Sequence, residues 1–172
     1  EITFNKDSKT LDKDYEEISK LKEFTSTLKV NKEAIDILNK DTNQTVQLIV
    51  PFNDYNDFIK IQDRKTKKQY SLKDKIYVSE KLYKLLNLKE NDTLKIKLDD
   101  KEYTTKVGGS TENYIMHYIY MSKDVYNSDS YNTMLVKVNN LTNDARKELS
   151  KKFKKVTVLE NINMKFESGK IY

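Results

Sequence analysis

Few side chains in this sequence could do chemistry, and those that could gather in residues 108–122, GGSTENYIMHYIYMS. The segment holds two of the three glycines, the single histidine and three of the twelve tyrosines. His117 is the lone imidazole, so a histidine-rich metal site is impossible, and a catalytic role would need an orienting partner that the sequence does not offer. Gly108-Gly109-Ser110 lacks the G-x-x-x-x-G-K-[ST] spacing of a phosphate loop. The acidic pair Asp99-Asp100 falls in a predicted turn, whereas paired catalytic acids need a cleft between them. Asp14, Glu16 and Glu17 are the ordinary electrostatics of a helix N-terminus. The chain has no cysteine, which removes thiolate ligands, disulfides and cysteine nucleophiles. No catalytic, cofactor-binding or metal-binding residue is therefore assigned, and the chain is not expected to be an enzyme. The remaining role for the aromatic segment is architecture or partner contact, and Tyr114, His117 and Tyr118 are the candidate contact residues.

Composition narrows the partners. The chain has 172 residues, a net charge of +5, 37% hydrophobic and 34% charged residues. Apolar runs recur at regular intervals, so a folded, highly soluble domain is expected. Of the 32 basic residues only Arg64 and Arg146 are arginine. Base and phosphate recognition leans on the planar arginine fork, and the lysines are interleaved with 27 carboxylates. A solvated surface is favoured over a nucleic-acid groove. Attraction to an anionic membrane or wall polymer needs only positive charge and stays open. No stretch approaches the roughly 18 apolar residues of a membrane helix, and no basic-then-apolar leader opens the chain. Three N-x-S/T triplets, at Asn43, Asn91 and Asn140, are what an asparagine-rich chain yields by chance.

The elements that must position the aromatic segment read as follows. Asp12 is placed as cap of a first helix, with Tyr15, Ile18, Leu21 and Phe24 as its apolar stripe. Residues 25–30 and, from an ambiguous pattern, 31–38 read as strand; residues 45–50 form another, ended by Pro51. Residues 54–61 suggest a short helix with Tyr55, Phe58 and Ile59 inward, and residues 65–68 a basic hairpin tip. A strand at 76–78 leads into a helix capped by Ser79. Residues 93–98 and 102–107 make the clearest hairpin, which Gly108-Gly109 then breaks or bends. Residues 114–121 are apolar on both alternating faces, so a strand here should be covered on both sides. Ser122 caps a helical turn, 132–138 is a strand, Thr142 caps a helix with Ala145, Leu149 and Phe153 inward, and 155–159 is a closing strand. Interleaved helices with clear hairpins argue an α+β fold with mixed sheets.

Two runs then carry a family likeness. IYVSEKLYKLLNLKENDTLKIKL, from residue 76, is followed by the hairpin and by TENYIMHYIYMSKDVY, from residue 111. In order, they resemble the extracytoplasmic domain of bacterial ABC-transporter permeases of the FtsX-like, MacB-related family in its Gram-positive form. Ser79, Glu80, Lys81, Leu82, Asp92 and Thr93 match the first pattern. Glu112, Asn113, Tyr114, His117, Tyr118, Tyr120, Met121 and Ser122 match the second. Asn91 stands where the pattern has glycine, a change a turn tolerates, and Tyr83 replaces a small residue. The strong match covers about 50 residues, and weaker patterning extends it over most of the chain.

The resemblance implies an excised loop domain on the outer face of the cell membrane, between transmembrane helices. It implies a cytoplasmic ABC ATPase and a second permease half or protomer as partners. The domain would couple ATP hydrolysis to export, sensing or mechanical action on a peptide, lipopeptide or lipoprotein. It also implies two lobes: a βαβ-rich, porter-like lobe from residues 1–53 and 130–172, and an inserted hairpin-rich mixed-sheet lobe from 54–129, unless the two form one continuous compact unit. Residues near Glu1 and Tyr172 should then leave the domain at the same end. The alternative is a scaffold that binds and activates a cell-wall hydrolase, as the FtsX branch does; pull-down with wall enzymes separates the two. A lysine-rich nucleic-acid binder is the remote alternative and predicts steeply salt-dependent binding.

Overall fold

The structure is a computed structural model, which describes residues 1–4, 10–113, 116–139, 142–152 and 155–156. It is an α+β fold on one nine-stranded mixed sheet. The elements in order are β1 (Ile2–Thr3), α1 (Leu11–Ser19), β2 (Phe24–Ile37), β3 (Val46–Pro51), β4 (Lys75–Ser79), α2 (Glu80–Leu85), β5 (Thr93–Leu98), β6 (Lys101–Thr111), β7 (His117–Tyr120), α3 (Lys123–Tyr126), β8 (Thr133–Val138), α4 (Asn143–Lys152) and β9 (Lys155–Val156).

The sheet has two parts joined by β2. One part runs β2-β8-β1-β9 with every neighbour antiparallel. Hence β1-α1-β2 brackets β8, and β8-α4-β9 brackets β1. This is the doubly split βαβ arrangement of ferredoxin-like folds. The other part is a circuit of pairings, β2-β3-β7-β4-β6-β5 and back to β2. It contains two parallel pairs, β3 with β7 and β4 with β6. Its interior is filled by side chains such as Leu48, Ile76, Leu94, Ile96 and Ile119, all 0% exposed, as in small closed barrels.

The strand β2 serves both parts because its apolar face changes along its length. Leu28 and Val30 face one cluster, Ile35 and Ile37 the other. At Val30 it is paired with Pro51 of β3 and with Thr133 of β8 at once. Just beyond, the Asn132 side chain imitates a strand: its Oδ1 accepts from the Lys32 N–H and its Nδ2 donates to the Lys32 carbonyl, both at 3.0 Å. Asn39 does the same for β5, bonding Thr93 O and Lys95 N at 2.9 Å. The larger of these two clusters runs through both parts, from Ile2, Ile18 and Met134 to Leu82 and Val107.

Several local expectations are corrected. Residues 54–61 form one turn, not a helix: the Phe58 and Ile59 N–H groups both donate to Tyr55 O, and Asp54 Oδ1 accepts from Asn56 N. So short a stretch cannot propagate past the costly first turn. Asp12 is not a cap; Thr10 holds that position and Asp12 lies inside α1, accepting from Tyr131 Oη at 2.7 Å and Lys29 Nζ at 3.4 Å. Phe24 belongs to β2 and not to the helix stripe. Ser79 precedes α2, but its hydroxyl makes no cap and accepts the Tyr118 N–H instead (3.0 Å). Ser122 and Thr142 do cap, through Val125 N and Ala145 N. Past the hairpin, β6 continues through Gly108-Gly109 with a register shift against Ile76 and Tyr77. Expectations for Phe153, for 157–159 and for the chain near Tyr172 lie outside the described residues.

Candidate functional site

The aromatic segment is held from both sides. β7 runs parallel to β3, with His117 opposite Val46 and Tyr120 opposite Ile49, and antiparallel to β4, with Tyr77 opposite Tyr120. Alternation along the strand sends successive side chains to opposite faces. Ile119 lies in the main core, followed by Met121 just beyond the strand, whereas Tyr118 and Tyr120 lie in the second cluster. Both faces are covered, as two apolar faces require.

The outer cover is the connection between β3 and β4, a strap across the barrel wall. Its base is tied by Leu72 N–H donating to Tyr55 Oη (2.9 Å). Its middle is a narrow hairpin with a Gln62–Gln69 bridge. Gln62 N–H donates to Thr111 Oγ1 (3.0 Å), and Glu112 N–H donates to Gln62 O (2.9 Å). Ion pairs Lys67–Glu112 (2.8 Å) and Arg64–Glu80 (2.9 Å) hold the tip. Arg64 reaches both Glu80 oxygens, and Lys84 adds a third contact. These hold the Glu80 carboxyl below its ordinary range, the Lys84 hydrogen bond first and Arg64 next. Tyr70 stacks on Tyr77 with centroids 4.7 Å apart. That stack sits where a Gly108 side chain would be: a β-carbon there would lie 2.7 Å from Tyr77 Cζ.

Where strap, barrel wall and the four-stranded part meet, they leave a groove of about 290 Å³. Val30, Ile49 and Leu135 give it an apolar floor, Tyr118 and Tyr120 one wall, and Phe58 and Ile59 another. Its mouth carries Lys32, paired with Glu1 (3.0 Å), and Lys60, Glu112 and Asn113. Asn113 Nδ2 donates to Tyr120 Oη (2.9 Å). Burial raises the Tyr120 phenol, partly offset by that bond. Tyr120 is thus a neutral, fixed wall group. Tyr118 is half-buried, and among the described residues its hydroxyl meets only the Met116 sulfur, a weak acceptor, at 3.4 Å.

Of the three contact candidates, Tyr118 lines this groove. His117 alternates to the other face, and its Nδ1 is enclosed with no hydrogen-bond partner among the described residues. Tyr114 lies outside the described residues. Sequence reasoning missed Val30, Leu135 and Lys60, which are ordinary strand and turn residues until the strap folds over them. Glu112 and Asn113 were visible only as motif members. Among the described residues no three acidic or histidine side chains converge as metal ligands, and no helix is long and apolar enough to cross a membrane.

No protein-family model matches the sequence, and no curated protein does. Among solved structures, the fold is similar to the extracellular domain of the noncanonic ABC-type transporter YknZ from Gram-positive bacteria (TM-score 0.50, 12% identity, 86% of each chain covered). It is also similar to the periplasmic region of MacB from Actinobacillus actinomycetemcomitans (TM-score 0.50, 13% identity, 87% of this chain and 79% of that one). At such identities the likeness establishes a MacB-like periplasmic-domain fold.

Proposed function

We propose that this chain is the extracytoplasmic domain of an ABC-transporter permease, carried on the outer face of the cell membrane. One geometric observation supports this most. Ile2 and Val156 are direct cross-strand partners on antiparallel β1 and β9. The chain therefore approaches β1 and continues past β9 at the same end of the sheet, as a domain joined to two neighbouring membrane helices requires, whose axes pack roughly 8–10 Å apart. On this reading residues 1–53 and 130–172 form the membrane-proximal lobe and 54–129 the inserted one, with β2 and β3 shared in pairing. ATP hydrolysis belongs to a cytoplasmic subunit, and the domain acts on a peptide, lipopeptide or lipoprotein outside the membrane. Tyr114, His117 and Tyr118 remain the proposed partner contacts, Tyr118 through the groove.

The test uses the parent protein in its membrane. Lys65, exposed on the strap tip, is replaced in the variant Lys65→Cys. In intact cells a membrane-impermeant maleimide should label it, and the solubilised protein should copurify with an ABC ATPase. Labelling only after lysis, or purification without any ATPase, would overturn the proposal.

A further inference from the structure

The charges around the groove are unequally engaged. Lys32 is paired with Glu1, and Glu112 is held by Lys67 and Gln62. Lys60 has no ion pair or hydrogen-bond partner for its ammonium among the described residues, yet it sits at the mouth of an apolar floor. The Tyr118 hydroxyl belongs to the lining of the same groove and, among the described residues, has only the Met116 sulfur as a hydrogen-bond partner. One unengaged cation, one under-used hydroxyl and an apolar floor together describe a complement: an apolar group bearing a single negative charge and a nearby polar bond.

We propose that the seam groove binds the carboxyl-terminal residue of a peptide. Its large apolar side chain lies on Val30, Ile49 and Leu135; its carboxylate pairs with Lys60; its preceding amide bonds the Tyr118 hydroxyl. Size favours a peptide end over a long acyl chain. About 290 Å³ is at the lower limit of ligand pockets, enough for one large side chain with its carboxylate. An acyl chain would leave most of its methylenes in water, forfeiting about 0.8 kcal/mol for each one unburied. The groove is not an enclosed cavity, so the rest of the peptide can leave into solvent. The site stands on the seam's geometry alone, so a failed titration leaves the permease reading intact.

The test is a titration of the isotopically labelled 172-residue chain with acetyl-Ala-Phe, its C-terminal amide, and octanoate, followed by amide chemical shifts. The acid should shift residues 28–32, 58–60, 118–120 and 133–135 saturably. It should bind more tightly than the amide at low salt, by up to about fivefold, the most an exposed ion pair supplies. Lys60→Gln should remove that preference, whereas Lys65→Gln should keep it; unchanged melting temperatures verify both folds. Tyr118→Phe should weaken acid and amide alike. The proposal is overturned by an absence of saturable shifts up to about 10 mM, by equal binding of acid and amide, by a Lys60→Gln variant that keeps the preference, or by octanoate binding more tightly at the same residues.

Discussion

Gly108 is required by its neighbour. In Gly108→Ala the new methyl would meet the Tyr77 ring at 2.7 Å, and that ring is itself pinned under Tyr70. Overpacking of this kind costs about 1–3 kcal/mol, and urea unfolding should register it as a lower midpoint at unchanged slope. A second residue-scale expectation concerns acid. Glu80 and Asp12 have carboxyls held below their ordinary values, Glu80 by Lys84 then Arg64, Asp12 by Tyr131 then Lys29. A depressed carboxyl stabilises the fold above its unfolded value and loses that contribution as pH falls through its folded one. Stability should therefore decline below about pH 4. Glu80→Gln should flatten part of that decline while costing about 1 kcal/mol or less at pH 7, because its partners are surface groups. At this scale the sequence was uneven. The double glycine announced a bend, and the alternation of residues 114–121 announced two covered faces. Lys60 and Leu135 carried no signal, because only tertiary placement makes them neighbours.

Among the elements, the strap behaves as a separate layer on the barrel. Its tyrosine stack and two ion pairs are its main side-chain anchors, while its apolar residues pack on a cluster distinct from the main core. In Tyr70→Ala, loss of a stacked pair worth about 0.5–1.5 kcal/mol should speed amide exchange across residues 58–72 up to about tenfold. Amides of β4, β5 and β6 should keep their protection. An equal rise everywhere would mean that the strap unfolds only with the whole. The element types were largely legible: the 93–98 hairpin, both capped helical segments and the α+β class followed from period and turn chemistry. Residues 54–61 read as a helix because Tyr55, Phe58 and Ile59 have helical spacing, while what they pack against is distant in sequence: Leu72 across the strap, and β2, β3, β7 and β8 beneath it. The parallel pairing of β3 with β7 joins residues about 70 positions apart, and no local pattern encodes a register at that distance.

The molecule as a whole has one main core across both parts of its sheet, so it should unfold in one step. Leu48→Ala in the barrel and Met134→Ala in the four-stranded part both empty sites that are 0% exposed. Each should cost about 2–5 kcal/mol and shift a single calorimetric transition; two resolved transitions would show that the parts fold separately. Proximity of β1 and β9 can be checked directly. Thr3 faces Lys155 and the chain has no native cysteine, so Thr3→Cys with Lys155→Cys should close a disulfide on mild oxidation. Failure to close would place the two strands apart and remove the geometric support for a two-helix membrane attachment.

The shared strand β2 has a mechanical consequence. Its 14 residues span about 46 Å at the rise of an extended strand, interrupted by one irregularity between Phe24 and Ser26. Hinges need loop torsions that can absorb rotation, and between the two parts β2 offers hydrogen-bonded backbone instead. A tilt imposed at the edge where β1 and β9 lie would swing the strap end like the far arm of a crowbar. Displacement would grow with distance from the pivot, and the seam groove would ride beside the fulcrum with little change in its own shape.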